Sequence, residues 1–254
     1  MRSPDTLADL LVAGLDAAAT QGRRVAFWWR DDDAVAPTPA LDRLIGLAEA
    51  CSLPLVLASI PAEATEALAR RLERAPANIR VAQHGFSHIN HARPPGKKAE
   101  LGVDRPADVV LAELAAGRAR LEGLFGPRFL PVLVPPWNRI APAVAAGRAG
   151  IGLPGLSVHA SLDRTGHRLD THIDPVDWHG TRALAGADFL ADKITAAFTA
   201  RAEPATGDVP IGLLTHHLIH EDSLWTALER AIGRIAVHPA ALWPEADALF
   251  GLPA

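Results

Sequence analysis

The segment Val25–Asp33, VAFWWRDDD, joins five consecutive apolar residues to an arginine and three adjacent aspartates. An apolar run of this length predicts a strand that is buried on both faces, as in a parallel sheet. Three adjacent carboxylates repel one another, and away from solvent they need a cation or a proton beside them. We therefore predict a strand over Val25–Trp29 that carries Arg30 and the aspartates to the rim of a buried site. A solvated acidic turn that caps the next helix is the alternative.

Short apolar runs and longer helical patterns alternate along the rest of the chain, which is typical of βα units. Six further strands are predicted, at Leu55–Ile60, Ile79–Gln83, Phe129–Val134, Gly155–His159, Leu169–Ile173 and Ile211–Thr215. Helices are predicted at Pro39–Ala50, Ala62–Arg74, Ala107–Leu124, Ala187–Ala202 and Ser223–Ala236. Parallel connections are right-handed and close most simply into a barrel. We therefore predict one α/β domain over residues 1–254, a single distorted (β/α)7-type barrel.

The composition argues against several classes of protein. The formal net charge is −4, whereas a sequence-independent grip on nucleic acid needs a basic surface. One cysteine cannot form an internal disulfide. We predict no membrane span, and the first residues lack the basic start and unbroken apolar run of a signal peptide. We therefore expect a cytoplasmic protein that acts on a small molecule or a glycan, and the sequence leaves its oligomeric state open.

Most of the eleven histidines fall in three groups, and each group follows a predicted strand. The groups are His84, His88 and His91; His172 and His179; and His216, His217 and His220. The carboxyl ends of the strands form one face of a parallel α/β barrel, and that face carries the active site. A lone histidine is more often an ordinary hydrogen-bonded residue, but three groups at equivalent positions favour a shared site.

The motif His84-Gly-Phe-Ser-His88 places two histidines four residues apart. They face the same way if the segment turns helically after its strand. Two imidazoles and a carboxylate suit zinc or a similar divalent ion and leave positions open for water and substrate. Structural zinc is usually closed by four protein ligands, so a set of three favours catalysis. The spacing alone is common, and the aspartates after the first strand make it more specific.

Three more motifs follow predicted strands. In Val134-Pro-Pro-Trp-Asn138 two prolines stiffen the chain, and Trp137 offers a flat surface for a sugar ring and an N–H for a developing oxyanion. A rigid structural turn is the alternative for this motif. The second motif is Asp174-Pro-Val-Asp-Trp178, and the third is Leu214-Thr-His-His217. A histidine opposite the metal could protonate a leaving amine.

Together these motifs resemble, in the same order, the five motifs of the polysaccharide deacetylases, the NodB-like carbohydrate esterase family four. The resemblance implies a barrel of that kind and a metal-dependent deacetylase. The implied roles are general base for Asp32, metal ligands for Asp33, His84 and His88, and general acid for His216. Substrate or oxyanion contacts are implied for Pro136, Trp137 and Asn138, and support for Arg30, Asp31, Asp174, Asp177 and Trp178. One divalent ion is expected, zinc first, with cobalt, manganese or nickel as alternatives.

The sequence departs from the family pattern at several positions. The family's arginine before the paired prolines is Val134, its hydroxyl residue in the metal motif is Gly85, a glycine is replaced by Asn138, and His217 stands where an acid is common. Arg30 could take the arginine's role from the neighbouring strand. The triple aspartate also leaves the register open, with Asp31 as base and Asp32 as ligand as the alternative.

The expected reaction is removal of an acyl group, in the first place acetyl, from an N-acylated sugar or glycoconjugate. Without an export signal, a small N-acylated sugar, glycolipid or nucleotide-sugar precursor is favoured over a cell-wall polymer. Three alternatives stay open. They are an amidohydrolase of a ureide or cyclic imide on the same scaffold, a non-catalytic carbohydrate-binding barrel, and a structural metal site.

Overall fold

A computed structural model describes residues 3–252 of the chain. Within this range the strands are β1 Val25–Ala34, β2 Leu55–Ser59, β3 Ile79–His84, β4 Phe129–Val134, β5 Gly155–Leu156, β6 His167–Arg168, β7 Ile211–Thr215 and β8 Ala241–Leu242. The helices are α1 Thr6–Thr20, α2 Pro39–Ala50, α3 Glu66–Glu73, α4 Ala107–Phe125, α5 Pro142–Gly147, α6 Ala187–Ala200, α7 Asp222–Ala236 and α8 Ala246–Phe250. Strands and helices alternate over most of this range, as the sequence pattern predicts.

The strands pair in parallel in the order β6-β5-β4-β3-β2-β1-β7, and β8 pairs with the start of β1. The sheet curls, and the chain after β6 joins its two edges. Thr171 pairs with His159 on one side, and Ile173 pairs with Leu213 of β7 on the other. The N–H groups of His172 and Ile173 both donate to Gly212 O at this closure. The predicted distorted barrel of seven strands is therefore confirmed.

Alternation along β1 decides which side chains enter the barrel. Trp29 packs between the sheet and the surrounding helices, whereas Trp28 packs with the smaller interior cluster. Its ring meets Phe250 of α8 edge-on, with centroids 5.6 Å apart, so α8 fills the end of the barrel where the strands begin. Arg30 and Asp32 follow Trp28 at steps of two and therefore share its side. The strand thus sends two charged residues inward near its carboxyl end.

Strand β1 is longer than predicted, because it continues through the whole acidic run to Ala34. Arg30, Asp31 and Asp32 stay inside the sheet because each has a hydrogen-bond partner there. Arg30 pairs with Asp32, and Asp31 accepts a hydrogen bond from Thr215 of β7. The alternative of a solvated acidic turn is wrong.

Other differences are local. Helix α1 is not among the predicted elements, yet Leu7, Leu11 and Leu15 are buried at helical spacing and α1 packs against α6 and α7. Helix α3 begins later than predicted because the Thr65 side chain accepts from Leu68 N and caps it. Strand β5 is shorter than predicted. Strand β6 lies just before the predicted Leu169–Ile173, where isolated bridges at Thr171 and Ile173 replace a continuous strand. Between residues 3 and 252 no helix combines the length and apolar character needed to cross a membrane.

Candidate active site

A β-bulge aims the carboxylate of Asp33. Asp32 pairs with Ala58 and Ala34 with Ser59, so the register shifts at Asp33, which adopts a left-handed φ of 74°. In a regular strand Asp33 would face the same side as Asp31. The bulge instead brings Asp33 Oδ1 to 3.3 Å from His84 Nε2 and 3.6 Å from His88 Nε2. Of the three adjacent aspartates, Asp33 is the one that meets the two histidines.

The two histidines converge without a helical turn, contrary to the sequence expectation. His84 ends β3, and its Nδ1 lies 3.0 Å from Val134 O, which leaves Nε2 as the ligand atom. Gly85 and His88 both have left-handed backbones, with φ of 58° and 57°. These two residues fold the segment back so that both imidazoles reach Asp33, with ring centroids 5.0 Å apart.

Glu100 holds this turn and was missed in the sequence. It is fully buried, and its Oε1 accepts from Phe86 N at 3.2 Å and from Ser87 N at 2.7 Å. A Cβ placed on Gly85 would lie 2.0 Å from Glu100 Oε2. That contact, together with the positive φ, explains why glycine replaces the family's hydroxyl residue. In the sequence Glu100 follows two lysines in a polar run, and nothing there indicates that Glu100 is buried.

The donor set suits a divalent cation. The ligand atoms of Asp33, His84 and His88 all lie within 4.8 Å of one another. Among residues 3–252, the buried Asp33 Oδ1 meets no hydrogen-bond donor in good geometry. An oxygen left in that state, beside two imidazoles at ligand spacing, fits a site built for an ion.

The ionisable groups of this cluster influence one another. Burial alone would raise the pKa of Asp33, but His84, with His216 and His88, outweighs burial and the pKa is lowered. Burial likewise opposes the charged form of His84, yet the Asp32 and Asp33 carboxylates raise its pKa. The pKa of His88 is lowered by burial and by the neighbouring His84. The cluster therefore favours a carboxylate with at least one neutral imidazole, the forms that bind metal.

Arg30 and Asp32 form a buried bidentate pair beside the cluster. Arg30 Nε donates to Asp32 Oδ1 at 2.8 Å and Nη2 donates to Oδ2 at 3.1 Å. Arg30 also donates to Ser157 Oγ at 2.7 Å and to Asn138 Oδ1 at 3.2 Å, across the barrel interior. Arg30 thus pairs with the acidic motif, as expected of a replacement for the missing arginine, but it does so along β1, which does not neighbour the strand of Val134. At position 134 the valine is buried and offers no charge.

His216 lies opposite the cluster, between two carboxylates. Its Nε2 is 3.9 Å from Asp32 Oδ2 and its Nδ1 is 4.0 Å from Asp174 Oδ2. Trp178 donates from Nε1 to Asp174 Oδ2 at 2.7 Å, and its ring meets the His216 ring edge-on. Burial raises the pKa of Asp174 despite the nearby His216. Asp177 serves the adjacent turn, where its Oδ2 accepts from Thr181 N.

The Pro135–Asn138 segment forms a tight turn on the other side of the cluster. Trp137 and Asn138 have φ of 54° and 57°, a conformation that asparagine tolerates better than most residues. This explains how asparagine can replace the family's glycine. The Trp137 ring lies 4.4 Å from the His88 ring, centroid to centroid, and Pro136 is buried below it. These contacts bring the turn to the metal side of the site.

A cleft of about 580 Å³ is lined by Asp174 and Trp178, the two residues that contact His216 on its outer side. Its lining includes Trp178 and Phe189, which are 41% and 47% exposed. His172 also lines it, but its ring is fixed by Gly212 N, which donates to Nδ1 at 2.9 Å. Burial lowers the pKa of His172 to about 3. The metal cluster contains neither His172 nor the predicted rim histidines His91 and His179.

Comparison with known proteins bears on the fold. No protein-family profile matches the chain, and no curated protein matches it. Among solved structures, a polysaccharide deacetylase from Mycobacterium smegmatis superposes with a TM-score of 0.63 at 15% identity, covering 91% of this chain and 90% of that one. A family 4 acetyl xylan esterase from Clostridium thermocellum, in complex with a cobalt ion, gives 0.55 at 14% identity, covering 90% and 93%.

A family 4 pseudoenzyme from Bacillus anthracis also superposes, with a TM-score of 0.55 at 14% identity over 82% of this chain and 59% of that one. Active enzymes and a pseudoenzyme therefore share this architecture, and the fold by itself does not establish activity. At these identities the likeness concerns the fold. The chain has the fold of the polysaccharide deacetylases and family 4 carbohydrate esterases, and it reaches that fold with a divergent sequence.

Proposed function

We propose that this chain is a metal-dependent hydrolase that removes an acyl group, in the first place acetyl, from an N-acylated sugar or glycoconjugate. The observation that carries the proposal is the placement of three kinds of group at one end of the barrel. Asp33, His84 and His88 form a ligand set, Asp32 is held by Arg30 next to it, and His216 lies across from it.

The metal would be held by Asp33, His84 and His88, and zinc suits one carboxylate and two imidazoles. When bound, such an ion supplies a Lewis acid that polarises the acyl carbonyl and lowers the pKa of water. Three protein ligands leave room for water and substrate, whereas structural zinc is normally closed by four. The donor set therefore favours a catalytic centre over a structural one.

The remaining steps belong to groups of this chain itself. Asp32, with both oxygens fixed by Arg30, takes a proton from the attacking water. The backbone N–H of Trp137 stabilises the tetrahedral oxyanion. His216 donates a proton to the departing amine. The proton that Asp32 took from water then replaces it, since His216 Nε2 lies 3.9 Å from Asp32 Oδ2. No covalent bond to the protein forms.

The cleft next to Asp174 and Trp178 supports a sugar derivative as the substrate. Trp178 and Phe189 line the cleft and are partly exposed, and exposed aromatic side chains suit the apolar C–H surface of a sugar ring. A volume of about 580 Å³ is within the range of small-molecule sites. A small N-acylated sugar, a glycolipid headgroup or a nucleotide-sugar precursor would fit this description.

One assay tests the proposal. Protein stripped of metal and then reloaded with zinc is screened against N-acetylated sugars, acyl amides and cyclic ureides. We expect acetate release from an N-acetylated sugar, loss of activity on stripping, and none with Asp32→Asn at equal metal content. Zinc binding without turnover on any substrate would contradict the proposal and favour a non-catalytic barrel. Turnover of the ureides alone would replace the proposed substrate class.

A further inference from the structure

The carboxylate of Asp31 lies at the last pair of the β1–β7 ladder, where Asp31 is opposite Thr215. It is fully buried and accepts from Thr215 Oγ at 2.7 Å and from His217 N at 3.0 Å, both at Oδ2. Its Oδ1 lies 2.5 Å from His217 Nδ1. One carboxylate therefore binds the chain on both sides of His216, the candidate acid.

His216 itself is the first residue beyond the backbone ladder. Its backbone N–H has no partner in the strand ladder and donates instead to the side chain of His220, at Nε2, at 3.1 Å. Thr215 Oγ also accepts from Trp29 Nε1 at 2.9 Å, which orients its own hydrogen toward Asp31. Three consecutive residues at the end of β7 are thus held by side chains.

His217 is almost completely buried. Burial would lower its pKa, but the Asp31 carboxylate outweighs burial and the pKa is raised. A buried pair of this kind is weak evidence for stability alone, since apolar residues can often replace it. The position of the Asp31–His217 pair suggests a second role. Asp31 directly precedes Asp32, the candidate base, and hydrogen-bonds to the residues on both sides of His216, the candidate acid.

We propose that Asp31 and His217 act as positioning residues that fix His216 relative to Asp32. The inference rests on the proposed function, in which His216 protonates the leaving amine. Proton transfer requires heavy atoms within hydrogen-bond reach, and small displacements of a reacting group are costly. Loosening the pair should therefore impair the acid step and spare the steps that do not use the acid.

The test compares Asp31→Asn with Asp247→Asn, a matched variant of a buried aspartate paired with Arg80 at the far end of the barrel. Asparagine keeps the size of Asp31 but cannot accept from all three donors. On an acetamide substrate, which needs a protonated leaving group, we expect kcat to fall roughly 10- to 100-fold, part of the range for losing a general acid. On 4-nitrophenyl acetate we expect less than about a threefold change. Equal losses on both substrates would overturn the inference.

A second pair of variants guards against a folding defect in Asp31→Asn. His217→Asn places an amide donor near the position of Nδ1, whereas His217→Leu has no donor there. We expect His217→Asn to retain most of the amide activity and His217→Leu to reproduce the selective loss. Equal behaviour of the two variants would count against the pairing as the cause.

Hydrogen exchange gives a readout that does not depend on turnover. The amides of residues 215–220 should exchange at least about tenfold faster in Asp31→Asn than in wild type, and at the wild-type rate in Asp247→Asn. If these amides exchanged at the wild-type rate in Asp31→Asn, the positioning role of Asp31 would be overturned, whatever the activity of the variant. If the wild type shows no metal-dependent hydrolysis while exchange responds as expected, the proposed function fails and the catalytic part of the inference fails with it.

Discussion

The two sides of the site are held in place by different means. On the metal side, the His84–His88 turn is shaped by left-handed backbone positions and by Glu100, a residue of the same connection. On the acid side, the end of β7 is held by Asp31, which belongs to a strand far away in sequence. The His84–His88 turn is thus held by contacts within one connection, whereas the end of β7 depends on a residue from a distant strand. Variants on each side should separate metal binding from turnover.

The largest effect is expected on the metal side, from His84→Ala. Loss of a residue that only supports a ligand typically weakens metal binding about 10- to 100-fold. Loss of the ligand His84 itself should therefore lower the zinc affinity by more than roughly 100-fold and abolish turnover. Chelator competition measures the zinc affinity. His91→Ala, in the same connection but outside the ligand cluster, is the control and should bind as the wild type does. Equal affinity in all three proteins would refute the assignment.

The next variants separate two neighbouring aspartates. Asp33→Asn should weaken zinc binding, because Asp33 is the carboxylate that meets both histidines. Asp32→Asn should keep its zinc and lose roughly 10²- to 10⁴-fold in turnover, as expected for a missing general base. Metal content and kcat are measured on the same preparations. If Asp31→Asn lost turnover fully and Asp32→Asn lost metal, the register of the two roles would be shifted by one.

On the acid side, His216→Ala should retain the metal and lose about 10²- to 10⁴-fold in amide hydrolysis. The loss should shrink on 4-nitrophenyl acetate, because nitrophenolate leaves without a proton. Parallel assays on the two substrates give the ratio. A loss of the same size on both would indicate that His216 serves binding or structure, and His217 and His220 would be the residues to examine next.

A smaller effect is expected from Glu100→Gln, which tests whether the turn positions the metal ligands. Glutamine keeps the size of the side chain but presents an amide where the carboxylate accepts from Phe86 N and Ser87 N. We expect zinc affinity to fall about 10- to 100-fold with the fold intact. Glu113→Gln, at a half-buried ion pair with Arg105, is the matched control. Unchanged zinc affinity would show that the backbone alone holds the turn.

The sequence predicts the barrel because each strand is a short apolar run between helical patterns. It also predicts that Asp33, His84 and His88 come together, since strand ends share one face of a parallel barrel. The partners of Asp31 were beyond reach because they lie far from it along the chain. The burial of Glu100 was beyond reach because the polar connection that carries it shows no strand or helix pattern. Helix α1 was missed although Leu7, Leu11 and Leu15 show its spacing.

The bulge at Asp33 matters to anyone who wishes to graft this centre onto another barrel. A bulge is one extra residue in one strand, and a shift of one residue sends every following side chain to the other face. A copy of the motif RDDDA in an unbulged strand would leave the third carboxylate among the helices, away from any histidines placed opposite. The graft must therefore reproduce the bulge and the positive φ of Asp33 as well as the three aspartates.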